Sequence, residues 1–364
     1  MLINFKIFRD NDIRGVYPED FNEEVAFKIG QVLVVRWKPK KVSVGMDMRV
    51  SGPGIKQALI EGITSMGVDV VDLGMISTPM NYFAAATLGV DLAIVVSASH
   101  NPKEYNGLII AKKGGLPTNK LELEQLAELM KGEVELVVGI RKGEISKGTI
   151  LNNCVNHAFE LVPARRIRPM KVVLDAGNSV AGVELEPALL KLPQVEAIKL
   201  YFEPDGNFPN HMPNPLLRET LKDLQESVRS NKAELGLAYD GDADRVLMVD
   251  EKGGYVGGSV MTAYLAKYLL SVNKFKQKPV IIYTTVMSRI VPETIEKYGG
   301  RPVRSPVGHA IIKAKMKEEK ALFAGEHSGH FYFKKNYNAD SALIGTLMIL
   351  AAVSSDPRLV SEQL

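Results

Sequence analysis

The stretch of this sequence with the most obvious chemical potential is Ser97–Pro102, which spells Ser-Ala-Ser-His-Asn-Pro. It follows Leu92–Val96, an apolar run with the length of a buried strand, and Asn-Pro is a common loop breaker. The carboxyl ends of strands in α/β folds often carry chemistry, because their loops vary while the sheet holds them still. The pattern therefore predicts a loop, rich in hydroxyl, imidazole and amide groups, that presents a serine to a ligand. A plain surface turn is the alternative for this hexapeptide taken alone.

A second loop carries three carboxylates at alternate positions, Asp240, Asp242 and Asp244, directly after the predicted strand Leu235–Tyr239. Carboxylates this close repel one another unless a counter-charge is present. A divalent cation removes that cost, and Mg²⁺ favours carboxylates together with a phosphate oxygen. The sequence therefore predicts a Mg²⁺ site in this loop.

Other interpretations fit the same acidic spacing. An EF-hand loop begins in this way, but Arg245 stands where its glycine belongs, and Val246–Val249 has the pattern of a strand. The aspartyl nucleophile motif of haloacid-dehalogenase-like phosphatases is also similar, although here the motif lies deep in the chain. A phosphatase that uses Asp240, and an acidic turn with a purely structural role, stay as alternatives.

Two weaker signals complete the set of candidate residues. The segment Gly325–His330 places Glu326 and Ser328 between glycines that let the backbone approach a ligand, and a carboxylate with a serine suits vicinal sugar hydroxyls. Arg14 lies on a charged turn beside Gly15, where an arginine can fork onto a phosphate. Each signal alone is common in proteins, so each indicates a functional site only in combination with the other motifs.

The segments around these loops alternate between strand and helix patterns, which predicts βαβ units. Each of the three loops is followed by a short apolar strand, a lysine-rich turn and a helix, an internal repeat that predicts related domains. The predicted fold class is α/β, with three related α/β domains of mixed, mostly parallel sheets around a shared cleft. The predicted domains are 1–150 with the serine loop, 151–250 with the metal loop and 251–364 with the sugar-binding loop. The charged stretch 132–147 is predicted to be the run-out of the first domain.

Helices and strands are predicted to flank these loops. Helices are expected over about 22–35, 54–66, 121–130 and 219–230, and strands over 41–46, 68–74, 108–111, 235–239 and 279–283.

Composition narrows the function classes. The 364 residues, 46% of them hydrophobic, suffice for two to four domains. The 45 basic and 42 acidic residues are interspersed and form no basic stripe for nucleic acid. The single Cys154 excludes an internal disulfide and fits a reducing compartment. The N-terminus lacks the features of a signal peptide, and Leu343–Val353 is too short to cross a bilayer. We therefore expect a cytoplasmic monomer or homodimer without nucleic-acid or membrane partners.

Together, these motifs resemble the α-D-phosphohexomutase family, most closely its phosphomannomutase/phosphoglucomutase members. The resemblance runs along nearly the whole chain. The segments that carry it are Asp12–Gly15, Ser97–Pro102, Asp240–Arg245, Val307–His309 and Gly325–His330.

The resemblance implies a phosphoryl shuttle. The serine that matches Ser99 carries a phosphoryl group, which passes to a mannose or glucose phosphate; hexose 1,6-bisphosphate is then both intermediate and activator. The other phosphate of the bisphosphate returns to the serine, with Mg²⁺ and the two arginines neutralising charge. The implied catalytic residues are Ser99, His100, Arg14, Arg245 and His309; the substrate-binding residues are Glu326, Ser328 and His330; the metal ligands are Ser99, Asp240, Asp242 and Asp244.

Two departures from the family keep a second hypothesis open. The family has an acid/base lysine after Asn-Gly and an apolar residue, whereas Ile109 stands there in this chain, with Lys112 or Lys113 as candidate substitutes. The family also has a fourth domain, whose Arg-x-Ser-Gly-Thr-Glu-Pro loop binds the non-reacting phosphate; these 364 residues contain no such loop. Lost remote binding energy lowers turnover. The alternative is therefore a non-catalytic or weakly active phosphosugar-binding relative.

Overall fold

The computed structural model describes residues 4–132 and 141–364, which divide into two compact units. Unit 1 runs to Leu151 and includes Asp205–Asn207, and unit 2 comprises Asn152–Pro204 and Phe208–Leu364. Two expectations fall partly outside the described residues. The expectation that the N-terminus is not a signal peptide includes residues 1–3, and the expected run-out of the first domain includes residues 133–140.

Unit 1 is built on one mixed sheet. Its described strands are β1 Ile13–Val16, β2 Lys41–Met46, β3 Asp69–Met75, β4 Leu92–Val96, β5 Tyr105–Lys112, β6 Leu116–Pro117 and β7 Ile145–Lys147. They lie in the order β1-β5-β4-β2-β3-β7, and β6 pairs with β5. The pairs among β4, β2, β3 and β7 are parallel, and β5 is antiparallel to all of its neighbours.

Helices cover both faces of this sheet. They are α1 Glu23–Trp37, α2 Gly52–Ser65, α3 Thr78–Thr87 and α4 Lys120–Lys131. The main core joins alternate strand residues, such as Leu108 and Ile110, to α1, α2 and α4. Helix α3 packs on β4 and β5 outside that core, and Asn81 donates to the carbonyl oxygens of Ala93 and Ile109. The sheet is therefore held between layers.

Unit 2 contains two further mixed sheets. The first has β8 Met170–Asp175, β9 Val195–Leu200, β10 Leu235–Tyr239, β11 Val246–Asp250 and β12 Tyr255–Val256, in the order β12-β11-β10-β8-β9. The second has β13 Val280–Thr284, β14 Arg301–Ser305, β15 Phe323–Gly325, β16 Phe331–Phe333 and β17 Ala339–Asp340, in the order β14-β13-β15-β16-β17.

Eight described helices accompany these sheets. They are α5 Leu151–Leu161, α6 Ala181–Leu190, α7 Lys222–Asn231, α8 Gly258–Val272, α9 Ile290–Lys297, α10 His309–Glu319, α11 Ala342–Ser354 and α12 Val360–Gln363. Helix α7 packs on the first sheet, and α10 packs on the second. Within 4–132 and 141–364, no helix has both the length and the apolar character needed to cross a membrane.

The predicted fold class is confirmed, with one adjustment. All three sheets are mixed, but parallel pairs do not predominate, because each sheet has as many antiparallel pairs as parallel ones among its described strands. Part of the expected run-out, Ile145–Lys147, is instead an edge strand of the first sheet. The predicted domain boundaries stay a prediction.

The internal repeat explains where the candidate loops lie. Each loop joins an antiparallel pair, β4 to β5, β10 to β11 and β15 to β16. The first strand of each pair is also parallel to a neighbour, respectively β2, β8 and β13. Every candidate loop therefore follows the carboxyl end of a parallel strand and is fixed on both sides by sheet hydrogen bonds.

We predict that Gly107→Ala destabilises unit 1. Gly107 lies opposite Arg14 in the β1–β5 pair, and an added Cβ would come 2.0 Å from the carbonyl oxygen of Ile13. The two strands would have to separate, which costs about 1–3 kcal/mol. Urea denaturation should show a lower midpoint than for the control Gly132→Ala, whose Cβ meets only the Leu129 carbonyl at 3.7 Å. Equal midpoints would contradict the prediction.

Candidate active site

The serine loop of unit 1 holds Ser99 in an unusual backbone conformation. Its φ is 50°, in the left-handed region that non-glycine residues rarely adopt, and such outliers cluster at functional sites. The Ser99 amide donates to Oγ of Ser97 at 3.0 Å, and Oγ of Ser99 lies 3.1 Å from Nδ1 of His100. The conformation thus turns the hydroxyl towards the neighbouring imidazole, although adjacent side chains usually diverge.

A buried arginine, Arg49, supports this conformation. Its guanidinium donates to the carbonyl oxygens of Ser99 at 2.8 Å and Asn101 at 2.7 Å. It also donates to those of Pro102 at 2.7 Å and Tyr105 at 2.9 Å. One side chain from the end of β2 therefore fixes four carbonyls of the serine loop, because guanidinium offers several donors in a rigid plane.

Asp47 is the buried counter-charge of this arginine. Its Oδ2 lies 3.3 Å from Nε of Arg49, and its Oδ1 accepts from the Arg49 amide at 2.9 Å. Burial raises the pKa of Asp47, while the charge of Arg49 opposes that shift. Sequence reasoning missed both residues. The available signal was a charged pair directly after β2, whose carboxyl end lies beside that of β4.

The predicted Arg14 also reaches the serine loop. Its Nη1 donates to Oδ1 of Asn101 at 2.7 Å, and its Nη2 donates to Asp12. Arg14 is 9% exposed, so its guanidinium is held close to the loop and partly withdrawn from water. The structure therefore brings Arg14, Ser99 and His100 together in unit 1.

No lysine replaces the family's acid/base lysine in the part of β5 near the serine loop. Ile109 is buried opposite Val95, so this position has no proton to give or take. Lys112 lies opposite Leu92, at the far end of β4 from Ser99, and its Nζ is 2.5 Å from Glu122. Lys112 is four residue steps along the strand from Leu108, or about 13 Å. Lys112, and Lys113 after it, are therefore wrong as substitutes.

The acidic loop of unit 2 gathers its carboxylates as predicted. Oxygen atoms of Asp240, Asp242 and Asp244 lie within 4.8 Å of one another, and all three residues are buried. Three hard oxygen donors in one small volume are a ligand set that suits a divalent cation such as Mg²⁺. The EF-hand alternative fails, because Val246–Asp250 is a strand.

The electrostatics of this loop are those of crowded like charges. Burial raises the pKa of Asp240, and the charges of Asp244 and Asp242 raise it further. Burial also tends to raise the pKa of Asp244, but His330 and Arg245 lower it overall. Nε of Arg245 is 3.4 Å from Asp240 and 3.7 Å from Asp244, so the arginine compensates only part of the repulsion.

The third loop is joined to the acidic loop by hydrogen bonds. Arg245 and His330 form an antiparallel bridge, and the Arg245 Nε donates to Nε2 of His330 at 3.2 Å. The same Nε2 lies 3.1 Å from Oδ1 of Asp244, and Nδ1 lies 2.8 Å from Oγ of Ser328. Burial opposes a charged imidazole, yet the nearby Asp244 raises the pKa of His330. His330 thus connects the two loops.

Glu326 is held firmly within this cluster. The Tyr332 hydroxyl donates to Oε1 at 2.6 Å, and the Ser328 hydroxyl donates to Oε2 at 3.4 Å. Both Tyr332 and Glu326 are buried. The structure therefore unites Glu326, Ser328 and His330 with Arg245 and the acidic loop inside unit 2.

Helix α10 brings a buried lysine to this region. The predicted His309 is the first residue of α10, and Lys313, four residues later on the same helix face, is buried. Nζ of Lys313 lies 2.9 Å from Oδ1 of Asp340, which is also buried. Sequence reasoning missed this ion pair; its only local signal was the spacing of Lys313 from His309.

Comparison with known protein families matches three consecutive segments of the chain. The descriptions "Phosphoglucomutase/phosphomannomutase, alpha/beta/alpha domain I", "domain II" and "domain III" match residues 6–136, 151–254 and 257–364. The phosphomannomutase of Escherichia coli strain K12 is 36% identical over 364 aligned residues, which cover 98% of this chain and 78% of that protein.

Two further relatives agree. The phosphomannomutase/phosphoglucomutase of Pseudomonas aeruginosa strain PAO1 is 38% identical over 97% of this chain and 75% of its own length. A crystal structure of a phosphoglucomutase/phosphomannomutase family protein from Burkholderia thailandensis superposes with a TM-score of 0.88 at 32% identity, over all of this chain and 80% of that one. The chain therefore belongs to the phosphoglucomutase/phosphomannomutase family, within the α-D-phosphohexomutases.

Proposed function

We propose that the chain is a mutase that interconverts hexose 1-phosphates and hexose 6-phosphates of mannose or glucose through a phosphorylated Ser99. The observation that carries this proposal is the presentation of Ser99, whose strained backbone places Oγ beside an imidazole while Arg49 fixes the surrounding carbonyls. The relatives reported above are named as mutases or as members of a mutase family, which favours catalysis over a non-catalytic binding role.

The proposed reaction has two balanced halves. In the first, a sugar hydroxyl loses its proton and attacks phosphorus, the bond from phosphorus to Oγ of Ser99 breaks, and Oγ takes up a proton. In the second, Oγ loses that proton and attacks the other phosphate of the bisphosphate, the bond from that phosphorus to the sugar oxygen breaks, and the sugar oxygen takes up a proton. Nδ1 of His100, 3.1 Å from Oγ, is within reach to give and take this proton. This assignment gives His100 a task that Ile109 cannot perform.

The acidic loop is proposed to hold Mg²⁺ through Asp240, Asp242 and Asp244, with the phosphate oxygen on Ser99 as a further ligand. When bound, the ion neutralises charge on the transferring phosphoryl group. Arg245 is proposed to assist with its guanidinium, and Arg14 to receive the phosphate on the serine side. Hexose 1,6-bisphosphate is the proposed activator, because it can rephosphorylate a serine that has lost its group.

The sugar is proposed to bind through Glu326, Ser328 and His330. A carboxylate that is already fixed by Tyr332 loses little conformational freedom when it accepts from sugar hydroxyls. His309, at the start of α10, is proposed to support catalysis as a second candidate base. A cytoplasmic location, a monomeric or homodimeric state, and the absence of nucleic-acid or membrane partners stay predictions.

We predict that Ser99→Ala lowers mutase turnover by at least about 1,000-fold, because the phosphoryl carrier is lost. The assay couples glucose 1-phosphate or mannose 1-phosphate conversion to a reporter enzyme, with Mg²⁺ and glucose 1,6-bisphosphate present. The matched control Ser146→Ala, in the exposed strand β7, should keep wild-type turnover.

Other results of this assay would overturn the proposal. Full activity of Ser99→Ala would exclude the phosphoserine. Release of inorganic phosphate that survives this substitution would support a phosphatase that uses Asp240. Binding of glucose 1-phosphate by the wild-type chain without any turnover would support the non-catalytic alternative.

We also predict that His100→Ala lowers kcat by about 100-fold with a smaller change in KM, because the proton of Ser99 loses its acceptor. Added imidazole should restore part of the lost rate by entering the space that the side chain leaves. His157→Ala, in helix α5, is the matched control. It should keep the wild-type kcat, and added imidazole should not alter its rate. An unchanged kcat, or no response to imidazole at any concentration, would remove His100 from the proton transfer.

A further inference from the structure

A fully buried lysine lies beside the acidic cluster without belonging to the residues assigned above. Lys313 is 4% exposed, and its Nζ is 2.9 Å from Oδ1 of Asp340, which is 1% exposed. The ammonium also lies 5.9 Å from the centre of the Tyr332 ring. A charge this deeply buried needs compensation, and lysine is almost never buried unless it is paired.

Asp244 belongs to two overlapping sets of potential metal ligands. In one set it stands with Asp240 and Asp242, and in the other it stands with His330 and Asp340. Within each set the ligand atoms lie within 4.8 Å of one another. Two oxygens and an imidazole nitrogen would suit a transition-metal dication. A divalent ion therefore has two competing positions, and something must decide between them.

The position of Lys313 determines which of the two ligand sets is available to a divalent ion. Its ammonium occupies one face of Asp340, and its charge interacts over longer range with Asp244 and Glu326. A second cation placed between Asp340 and Asp244 would meet this positive charge at close range. Asp340 is therefore already neutralised by a directly paired ammonium, whereas Nε of Arg245 stands farther from the acidic loop, 3.4 Å from Asp240 and 3.7 Å from Asp244.

We propose that Lys313 is a positioning residue whose ammonium neutralises Asp340 and thereby reserves Asp244 for the divalent cation of the acidic loop. This inference rests on the proposed function in one respect, because it takes the acidic loop as the site of the ion. It explains why one ion would bind at the acidic loop although the carboxylates of Asp340 and Glu326 lie nearby.

The test counts Mn²⁺ ions on the chelator-treated full chain by electron paramagnetic resonance. Wild type should bind one ion tightly, and Lys313→Arg should do the same, because a cation remains beside Asp340. Lys313→Met should bind two, and two ions that share Asp244, about 4 Å apart, should show a spin-coupled spectrum. The double variant Lys313→Met with Asp340→Leu should return to one ion.

A second variant keeps the test decisive if Lys313→Met does not fold. In Asp340→Asn the lysine stays but loses its partner charge, so its field acts on Asp244 instead. The Kd of Mn²⁺ at the acidic loop should then rise by about tenfold. The shape of asparagine matches that of aspartate, so this change tests charge rather than packing.

The results distinguish a failure of this inference from a failure of the proposed mutase function. One ion on a folded Lys313→Met chain, or an unchanged Kd in Asp340→Asn, would overturn the role of Lys313 and leave the mutase proposal standing. A wild-type chain that binds no Mn²⁺ would overturn both the proposed metal site and this inference. Loss of mutase turnover together with two bound ions in Lys313→Met would support the inference, because the second ion would draw Asp244 away from the acidic loop.

Discussion

The repulsion between buried carboxylates is the constraint on which the chemistry of unit 2 depends. Asp240 and Asp242 are buried, and Nε of Arg245 stands 3.4 Å from Asp240 and 3.7 Å from Asp244. Such a loop is stable only if the surrounding fold holds it and a cation relieves it. The antiparallel strands β10 and β11 hold the loop in place, and its three carboxylates are suitable ligands for a cation.

Unit 1 shows the opposite electrostatic design. The serine loop is held by arginine donors: Arg49, whose charge is balanced by Asp47, donates to backbone carbonyls, and Arg14, which also donates to Asp12, donates to Asn101. A phosphate on Ser99 would bring close to two negative charges and three acceptor oxygens. A loop held by arginines can accept that change without rearrangement, because its backbone is already fixed.

The sequence predicted the loops better than their supports. The serine and acidic loops followed recognisable strands, β4 and β10, and each contains its reactive groups within six residues. Helix α3 went unrecognised because its residues Thr78–Ala85 are all buried, so no amphipathic period marks it. Helix α8 is largely buried as well. Strand β7 has three exposed residues and therefore no alternation to detect.

The supporting side chains were out of reach for a different reason. Arg49 acts on carbonyls about fifty positions later, and Lys313 in α10 pairs with Asp340 in β17. Neither contact has a local pattern, because each depends on which strands lie side by side. His100 shows the same limit at short range, since only the φ of 50° at Ser99 brings the two adjacent side chains together.

The proposed mutase mechanism requires that the phosphate on Ser99 and the acidic loop bind one divalent ion. It is tested most directly by the phosphorus resonance of the chain phosphorylated at Ser99, recorded before and after addition of one equivalent of Mn²⁺. The account predicts that the bound ion broadens this resonance beyond detection, and that Asp240→Asn restores it. A resonance that stays sharp while Mn²⁺ is bound to the acidic loop would contradict the account.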